Sequence, residues 1–158
     1  MDRPIYLLLK YAHIIGAIVI LGTGTGIAFF MLMAHRSKSV EFIARTSGTV
    51  VLADAIFTAT AVIVQPITGY LLLLETGTPL TEPWVVAALI LYGIAGAFWL
   101  PVVWMQIRMR DIANSALADN TPLPDAYHRL FRLWFAFGVP GFGSVALILW
   151  LMVSKQAW

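Results

Sequence analysis

The fold is decided by residues 5–34, whose sequence is IYLLLKYAHIIGAIVILGTGTGIAFFMLMA. This segment is interrupted only by Lys10 and His13, and it exceeds the roughly 20 residues that a helix needs to cross a bilayer. It does not alternate polar and apolar residues, as the strands of a membrane barrel do. A helix forms all its own backbone hydrogen bonds, which lipid cannot supply. We therefore predict a membrane-spanning helix here.

Three more apolar segments follow, at residues 46–74, 84–107 and 126–153. The connections between the four segments are short, so consecutive helices are expected to be antiparallel neighbours. The predicted fold is an all-α integral membrane four-helix bundle with up-down-up-down order. It forms a single domain over residues 1–158.

The composition excludes several other classes of protein. The chain is 60% hydrophobic and 11% charged, with a mean hydropathy of +0.85, whereas a soluble domain is about 25% charged. Ten basic residues and a net charge of +2 in so apolar a chain do not form a nucleic-acid surface. The absence of cysteine excludes disulfides, iron–sulfur clusters and thiol catalysis.

The positions of the basic residues predict the orientation in the membrane. With four spans, the first and third connections lie on the same side. Together with the helix ends beside them they carry seven basic residues: Arg36, Lys38, Arg45, Arg108, Arg110, Arg129 and Arg132. The opposite side has Arg3, Lys10 and Lys155. The positive-inside rule then places both termini outside, in a bacterial inner membrane.

Polar residues recur at helical spacing on the second and third segments, so each set lies on one helix face. These stripes are expected to face the bundle interior, either as interhelical hydrogen bonds or as the lining of a cofactor or substrate site. The second segment has Asp54, Thr58, Ala61, Gln65 and Thr68, and the third has Tyr92, Gly96, Trp99, Val103, Gln106 and Arg110.

Asp54 is the only carboxylate well inside a predicted span. An ionised carboxylate alone in the membrane costs several kcal/mol, so we expect either a proton or an arginine partner. Arg110 and Arg132 are the expected partners. Such an ion pair fastens two helices together, and the alternative is that Asp54 is the proton-coupled carboxylate of a small transporter.

His13 is the candidate ligand for a cofactor. Small residues, Gly16 and Ala17, follow it on the same helix face and leave room for a flat macrocycle. A neutral imidazole is a good axial ligand for the iron of haem, and Lys10 is placed to meet a propionate. The pocket is also expected to include Gln65, Thr68 and Tyr92. The alternative is that His13 only bonds a neighbouring helix.

The other two histidines, His35 and His128, lie at the opposite ends of their helices, so neither is expected to share an iron with His13. Gly22 and Gly26 form a GxxxG pair, which permits close approach of a second helix. We expect helix packing there, within the chain or between two copies of it. No strand precedes the pair, and no phosphate-binding lysine follows it.

The run from Lys10 to Gly16, KYAHIIG, resembles the start of the bacterial membrane-bound protoporphyrinogen oxidase family of haem-binding (HemJ/CopD-like) proteins. The last segment also resembles that family's final span. The resemblance implies haem b bound at His13, with membrane redox or electron transfer and a quinone or redox partner. That family's Asn-Glu-x-Pro motif is replaced here by Phe137-Gly138-Val139-Pro140, so its oxidase activity does not carry over.

Nearly the whole chain is similar to an uncharacterised family of predicted bacterial integral membrane proteins (DUF2269). The matching features include residues 100–111, LPVVWMQIRMRD, which close the third segment. This resemblance implies the four-span fold and brings no activity. The leading functional hypothesis is a haem-b-binding redox protein. The alternatives are a cofactor-free membrane subunit or scaffold, and a proton-coupled transporter that uses Asp54.

Overall fold

A computed structural model of the protein describes residues 3–154, and within that range it contains four long helices and no strand. Helix 1 is Arg3–Ser37, helix 2 is Val40–Thr76, helix 3 is Pro83–Ala118 and helix 4 is Asp125–Ser154. Each is long and apolar enough to cross a membrane. The predicted all-α four-helix membrane fold is confirmed. Lys155, counted in the orientation argument, lies outside the described residues.

Helix 2 is not continuous. It consists of α-helical Val40–Ala53 and Ala59–Thr76, joined by a π-helical turn at Asp54–Thr58. A π turn is rare, occurs mostly as a single wide turn inside an α-helix, and is frequent at functional sites. The turn places the membrane carboxylate, Asp54, at an irregularity in the backbone.

The connections are built by residues suited to them. Lys38 has φ 58°, and Ser39 caps helix 2 by accepting a hydrogen bond from the Phe42 N–H at 3.3 Å. Gly77 ends helix 2 with φ 66°, a left-handed conformation that glycine adopts readily. Pro83 opens helix 3, where its missing N–H costs nothing. The short connections make consecutive helices antiparallel.

The two ends of the bundle differ in their connections. We call the end with connections 38–39 and 119–124 the basic end, and the end with connection 77–82 the acidic end. At the basic end, the first half of helix 2 packs on helix 3. Towards the acidic end, the second half of helix 2 packs on helix 1. Helix 3 packs extensively on helix 4.

The apolar core lies in the basic half. We call it the apolar cluster, and its buried members are Ile27, Met31, Ala34, Ile43, Ala44, Val50, Met105, Met109, Ala113, Tyr127, Phe131 and Trp134. All four helices contribute to it. Since lipid is as apolar as these side chains, the cluster stabilises the bundle through close packing rather than through escape from water.

The outer surface is made of large apolar side chains. Ile63, Leu100 and Val153 expose 64%, 64% and 72% of their surface. Apolar exposure on this scale, along four spans, suits contact with lipid rather than water. The structure therefore places the polar stripes inside and the apolar side chains outside.

Candidate functional site

Asp54 is the most buried charged side chain among those that the structure describes, with 5% of its surface exposed. It follows Arg45 by nine residues, about 14 Å along a helix, which places it well inside the span. Within the described residues, no charged residue occurs between His13 and His35 on helix 1, before Arg108 on helix 3 or after Arg132 on helix 4. Asp54 thus stands alone in the middle of the bundle.

The predicted ion pair between Asp54 and an arginine is wrong. The two ion pairs within residues 3–154 join Arg45 to Glu41 and Arg110 to Asp111, each at 2.8 Å. Arg110 finds its carboxylate in the next residue of the same helix, so its guanidinium has no need to reach into the membrane. Arg132 lies exposed at the basic end.

Two neutral donors replace the expected cation beside Asp54. The Thr58 hydroxyl lies on the same π turn, and the Trp99 indole N–H comes from helix 3. Both donor atoms are buried, and neither makes a hydrogen bond of good geometry to any acceptor. A carboxyl group with only neutral donors around it can change its protonation without breaking an ion pair.

The polar stripe of helix 2 faces the interior, as predicted. Asp54, Thr58, Ala61 and Thr68 are buried, and Gln65 is half-buried. The stripe of helix 3 is buried or half-buried along its whole length, from Tyr92 to Arg110. Gln65 Oε1 and Gln106 Oε1 are buried without a hydrogen bond. Such orphaned oxygens are rare in native proteins, and they call for a water molecule, an ion or a mobile partner.

Helices 1 and 2 bring four of the predicted cofactor residues together. His13 Nδ1 lies 2.9 Å from the Thr68 hydroxyl, and this hydroxyl donates its hydrogen to backbone carbonyls of its own helix. One helical turn further along helix 1, Gly16 is buried, and the Gln65 amide fills the space where a Cβ at this glycine would lie. The space assigned to a macrocycle beside Gly16 is therefore occupied by a side chain.

Gly69 determines how close His13 comes to helix 2. A Cβ built at this glycine would lie 3.2 Å from His13 Cε1, which is tighter than ordinary contact. The imidazole therefore packs directly on the backbone of helix 2. The sequence analysis did not single out Gly69, because a glycine in an apolar segment gives no sign of what packs against it.

The remaining predicted site residues lie near this group or at its edge. Ala17 is half-buried on helix 1. Lys10 is exposed, with its ammonium 5.7 Å from the centre of the Tyr6 ring. This is a cation–π contact at the membrane surface.

Tyr92 connects helix 3 to helix 2 through a proline. Pro66 lies inside helix 2 and has no N–H, so it leaves the carbonyl of Val62, four residues earlier, without its helical partner. The Tyr92 hydroxyl donates to that carbonyl. The bond fastens the helix 1–helix 2 pair to helix 3 one turn from Gln65.

The two other histidines lie together at the basic end, on helices 1 and 4. The His35 ring stacks on Phe131 with centroids 3.8 Å apart, and the centroid of His128 is 5.7 Å from that of His35. This cluster is far from His13. The separation predicted between His13 and the other histidines is thus found in the structure.

Gly22 and Gly26 do not pack against another helix of the chain. A Cβ at either position would meet nothing within 4 Å. They line an open groove of about 710 Å³ on the outer surface of helix 1, with Ile18, Leu21, Thr25 and Phe29. The predicted close approach therefore does not occur within one chain.

Comparison with known proteins bears on the whole chain rather than on the site. Neither the curated proteins nor the solved structures contain a significant match. A family model does match, over residues 7–156, which is nearly the full length. The chain belongs to this family, which is described as predicted integral membrane protein (DUF2269).

Proposed function

We propose that the protein is a small proton-coupled membrane transporter in which Asp54 takes up and releases the proton. The observation that carries this proposal is a buried carboxyl group in mid-span, on a π turn, with only neutral donors around it. Ionisable residues inside membrane spans are costly, and they typically mark proton relays and substrate paths.

The energetics support a protonation switch. Without a counter-charge, the ionised carboxylate at this position costs several kcal/mol. The charged form is therefore stable only if the bundle rearranges around Asp54 or water reaches it. The Thr58 hydroxyl and the Trp99 indole N–H are the donors nearest to the developing charge. Gain or loss of one proton at Asp54 therefore changes the balance between two packings of the bundle, and this change is the basis of coupling.

A spectroscopic test needs no knowledge of the substrate. Infrared difference spectra of the reconstituted protein, recorded between two pH values, should contain the C=O stretching band of a carboxyl group that loses its proton. Asp54→Asn should remove that band. Asp119→Asn, a matched change at an exposed connection, should keep it. A band that survives in Asp54→Asn refutes the assignment.

A flux measurement tests the transport itself. Proteoliposomes loaded with a pH-sensitive dye should change their internal pH when a membrane potential is applied, and Asp54→Asn should abolish this change. The Asp119→Asn protein should transport as the unchanged chain does. Flux that is equal in all three proteins excludes Asp54 as the proton carrier.

A second candidate function is haem b binding at His13, with membrane redox or electron transfer and a quinone or other redox partner. Its support is the hydrogen bond between His13 Nδ1 and Thr68, because such a bond fixes an imidazole and directs Nε2 to a metal. Lys10, Gly16, Ala17, Gln65, Thr68 and Tyr92 would complete the pocket. The donor is suitable, but Gln65 would have to leave the face of Gly16 to make room.

The haem candidate is tested by the absorption spectrum of the protein expressed with haem supplied, before and after reduction. A Soret band that disappears in His13→Ala and remains in His128→Ala is the expected result. The matched variant lies in the distant cluster at the basic end. A colourless protein refutes haem binding and leaves the Asp54 proposal untouched.

A third candidate, a cofactor-free subunit or scaffold, is supported by the open groove at Gly22 and Gly26. A second copy of the chain would use this groove.

For the orientation, we propose that both termini lie outside in a bacterial inner membrane, because seven basic residues lie near the first and third connections. A cysteine at Thr78, labelled from one side of the membrane, tests that orientation.

A further inference from the structure

A cleft of about 400 Å³ lies at the basic end, between the last turns of helix 3 and the connection to helix 4. The side chains on its helix side recur at helical spacing, and they include Arg108, Asp111, Ile112 and Ser115. The connection forms its other side, at Thr121 and Pro124. The chain turns there at Asn120, which has φ 52°, and the Thr121 N–H donates to the Ala116 carbonyl at 2.9 Å.

Arg108 is the cation of this cleft, and it has no carboxylate partner. Both ion pairs within residues 3–154 belong to other arginines, Arg45 and Arg110. Arg108 directly follows the apolar segment 84–107, so it lies where helix 3 passes from the lipid to the membrane surface. A guanidinium at this depth is placed to form charge-assisted hydrogen bonds with the phosphate of a phospholipid.

Asp111 supplies a negative charge one helical turn beyond Arg108. Three residues correspond to about 4.5 Å along a helix, in the direction that leads away from the bilayer. The Arg110 guanidinium binds only Oδ1 of Asp111, through nitrogens at 3.0 and 2.8 Å. Among the described residues, Oδ2 has no hydrogen-bond donor, so this oxygen can accept a bond from a cationic group.

The order of the two charges matches that of a phosphoethanolamine headgroup. The phosphate of a phospholipid is attached next to the glycerol, and the ammonium group extends from it on a two-carbon bridge. Arg108 lies nearer the bilayer and Asp111 nearer the water, as the phosphate and the ammonium require. Asp119 also lines the cleft, but it lies about 16 Å beyond Arg108 along the chain, which is too far for the same headgroup.

The lining of the cleft favours a primary ammonium over a trimethylammonium group. Sites for choline groups surround the cation with aromatic rings, and within the described chain no aromatic side chain lines this cleft. A primary ammonium donates hydrogen bonds to a carboxylate oxygen, whereas a trimethylammonium has no N–H to donate. A headgroup without any cation, such as phosphoglycerol, leaves Asp111 with nothing to bind.

The surface of helix 3 on the bilayer side of the cleft suits acyl chains. Trp104 and Leu100 precede Arg108 by about one and two turns, and 58% and 64% of their surfaces are exposed. Both residues lie inside the apolar segment, so they face lipid. A phospholipid whose phosphate is at Arg108 has its acyl chains at the depth of these two side chains.

We propose that this cleft binds a phospholipid with a primary-amine headgroup, such as phosphatidylethanolamine, with Arg108 at the phosphate and Asp111 at the ammonium. The site lies at the membrane surface and is independent of Asp54 and its proposed proton transport. It gives the connection between helices 3 and 4 a specific contact with the bilayer.

Native mass spectrometry of the protein in mild detergent measures which lipid stays bound. Phosphatidylethanolamine, phosphatidylglycerol and phosphatidylcholine with identical acyl chains are added in turn, and the unchanged chain should retain the first most strongly. Arg108→Gln should weaken that binding at least about tenfold, because the phosphate loses its charge-assisted bonds. Arg129→Gln is the matched control, an equal change of charge at an exposed position of the same end but outside the cleft. It should bind as the unchanged chain does.

A second pair of variants tests the ammonium contact. Asp111→Asn should remove the preference for phosphatidylethanolamine over phosphatidylglycerol. Glu41→Gln should keep this preference, and it is matched because it also releases an arginine, Arg45, from an ion pair of 2.8 Å at the basic end. Both ion pairs are partly or largely exposed and contribute little to stability, so both variants should fold.

Glycerophosphoethanolamine, the same headgroup without acyl chains, separates a lipid site from a site for a soluble ligand. It should not displace the bound lipid when the two are present at equal concentrations. Full displacement, equal retention of the three lipids, or equal losses in Arg108→Gln and Arg129→Gln would each refute the lipid site. An unchanged preference in Asp111→Asn would refute the ammonium contact. None of these outcomes affects the proton assays of Asp54, which are read separately.

Discussion

The hydrogen bond from the Tyr92 hydroxyl to the Val62 carbonyl allows a quantitative prediction, because the structure shows why this carbonyl needs a donor. Pro66 removes the N–H that would otherwise satisfy this carbonyl, and the Tyr92 hydroxyl replaces it. In membrane bundles an interhelical hydrogen bond contributes about 0.6 kcal/mol on average and up to about 1.7. An unsatisfied buried acceptor costs about 1–3 kcal/mol. Tyr92→Phe should therefore lower the free energy of unfolding by about 1–2 kcal/mol.

The same change should cost little when the proline is gone. In Pro66→Ala, the new N–H at position 66 bonds the Val62 carbonyl, so the Tyr92 hydroxyl is no longer needed. Tyr92→Phe should then cost less than about 0.5 kcal/mol, and the coupling energy of the double-mutant cycle should be about 1 kcal/mol. Reversible unfolding in mixed micelles, titrated with sodium dodecyl sulfate, measures all four proteins.

Tyr127→Phe is the matched control. The Tyr127 side chain is fully buried in the apolar cluster and its hydroxyl has no hydrogen-bond partner. Loss of an unpaired buried hydroxyl should leave the free energy of unfolding unchanged or raise it by up to about 1 kcal/mol. If Tyr92→Phe has the same cost with and without Pro66, the hydroxyl does not act through the carbonyl, and the reasoning is refuted.

Two further substitutions test the helix surfaces. Gly22→Leu should leave the free energy of unfolding of the single chain unchanged, because no atom lies within 4 Å of the added Cβ. It should weaken the self-association of the chain, measured by cross-linking in vesicles. An unchanged cross-linking yield would show that the groove is not a contact between two copies. Gly141→Leu should destabilise the bundle by about 1–3 kcal/mol, because its Cβ would lie 3.3 Å from Phe98 Cβ on helix 3. Gly143→Leu, with open space around it on the same helix, is the control, and equal losses in both variants would show that Gly141 is not a packing site.

The sequence was sufficient to predict the fold class, and the reason is physical. In lipid, the backbone has to bond to itself, so segments such as residues 5–34 have only one stable conformation. The interior position of Thr58, Gln65 and Thr68 was also predictable, because polar side chains avoid lipid and their spacing places them on one helix face.

The partners within the site were not predictable to the same degree. Arg110 was expected at Asp54 and instead bonds Asp111, because a carboxylate in the adjacent residue is reached without bending a helix. The π turn at Asp54 was missed, since one wide turn barely changes the spacing of a stripe. A proline inside a helix always frees a carbonyl one turn earlier, but that Tyr92 donates to this carbonyl depends on how helix 3 approaches helix 2.

The two halves of the bundle differ in how many buried apolar contacts they contain. Because lipid provides no hydrophobic drive for helix association, stability comes from close contacts, and most of the buried apolar side chains lie in the basic half. The acidic half has fewer such contacts, since no member of the apolar cluster on helix 2 follows Val50. Regions with few buried contacts open at low cost. The π turn at Asp54 lies where the two halves meet, so in the proposed transporter a change of protonation would act at the boundary between the half that contains the apolar cluster and the half with fewer buried contacts.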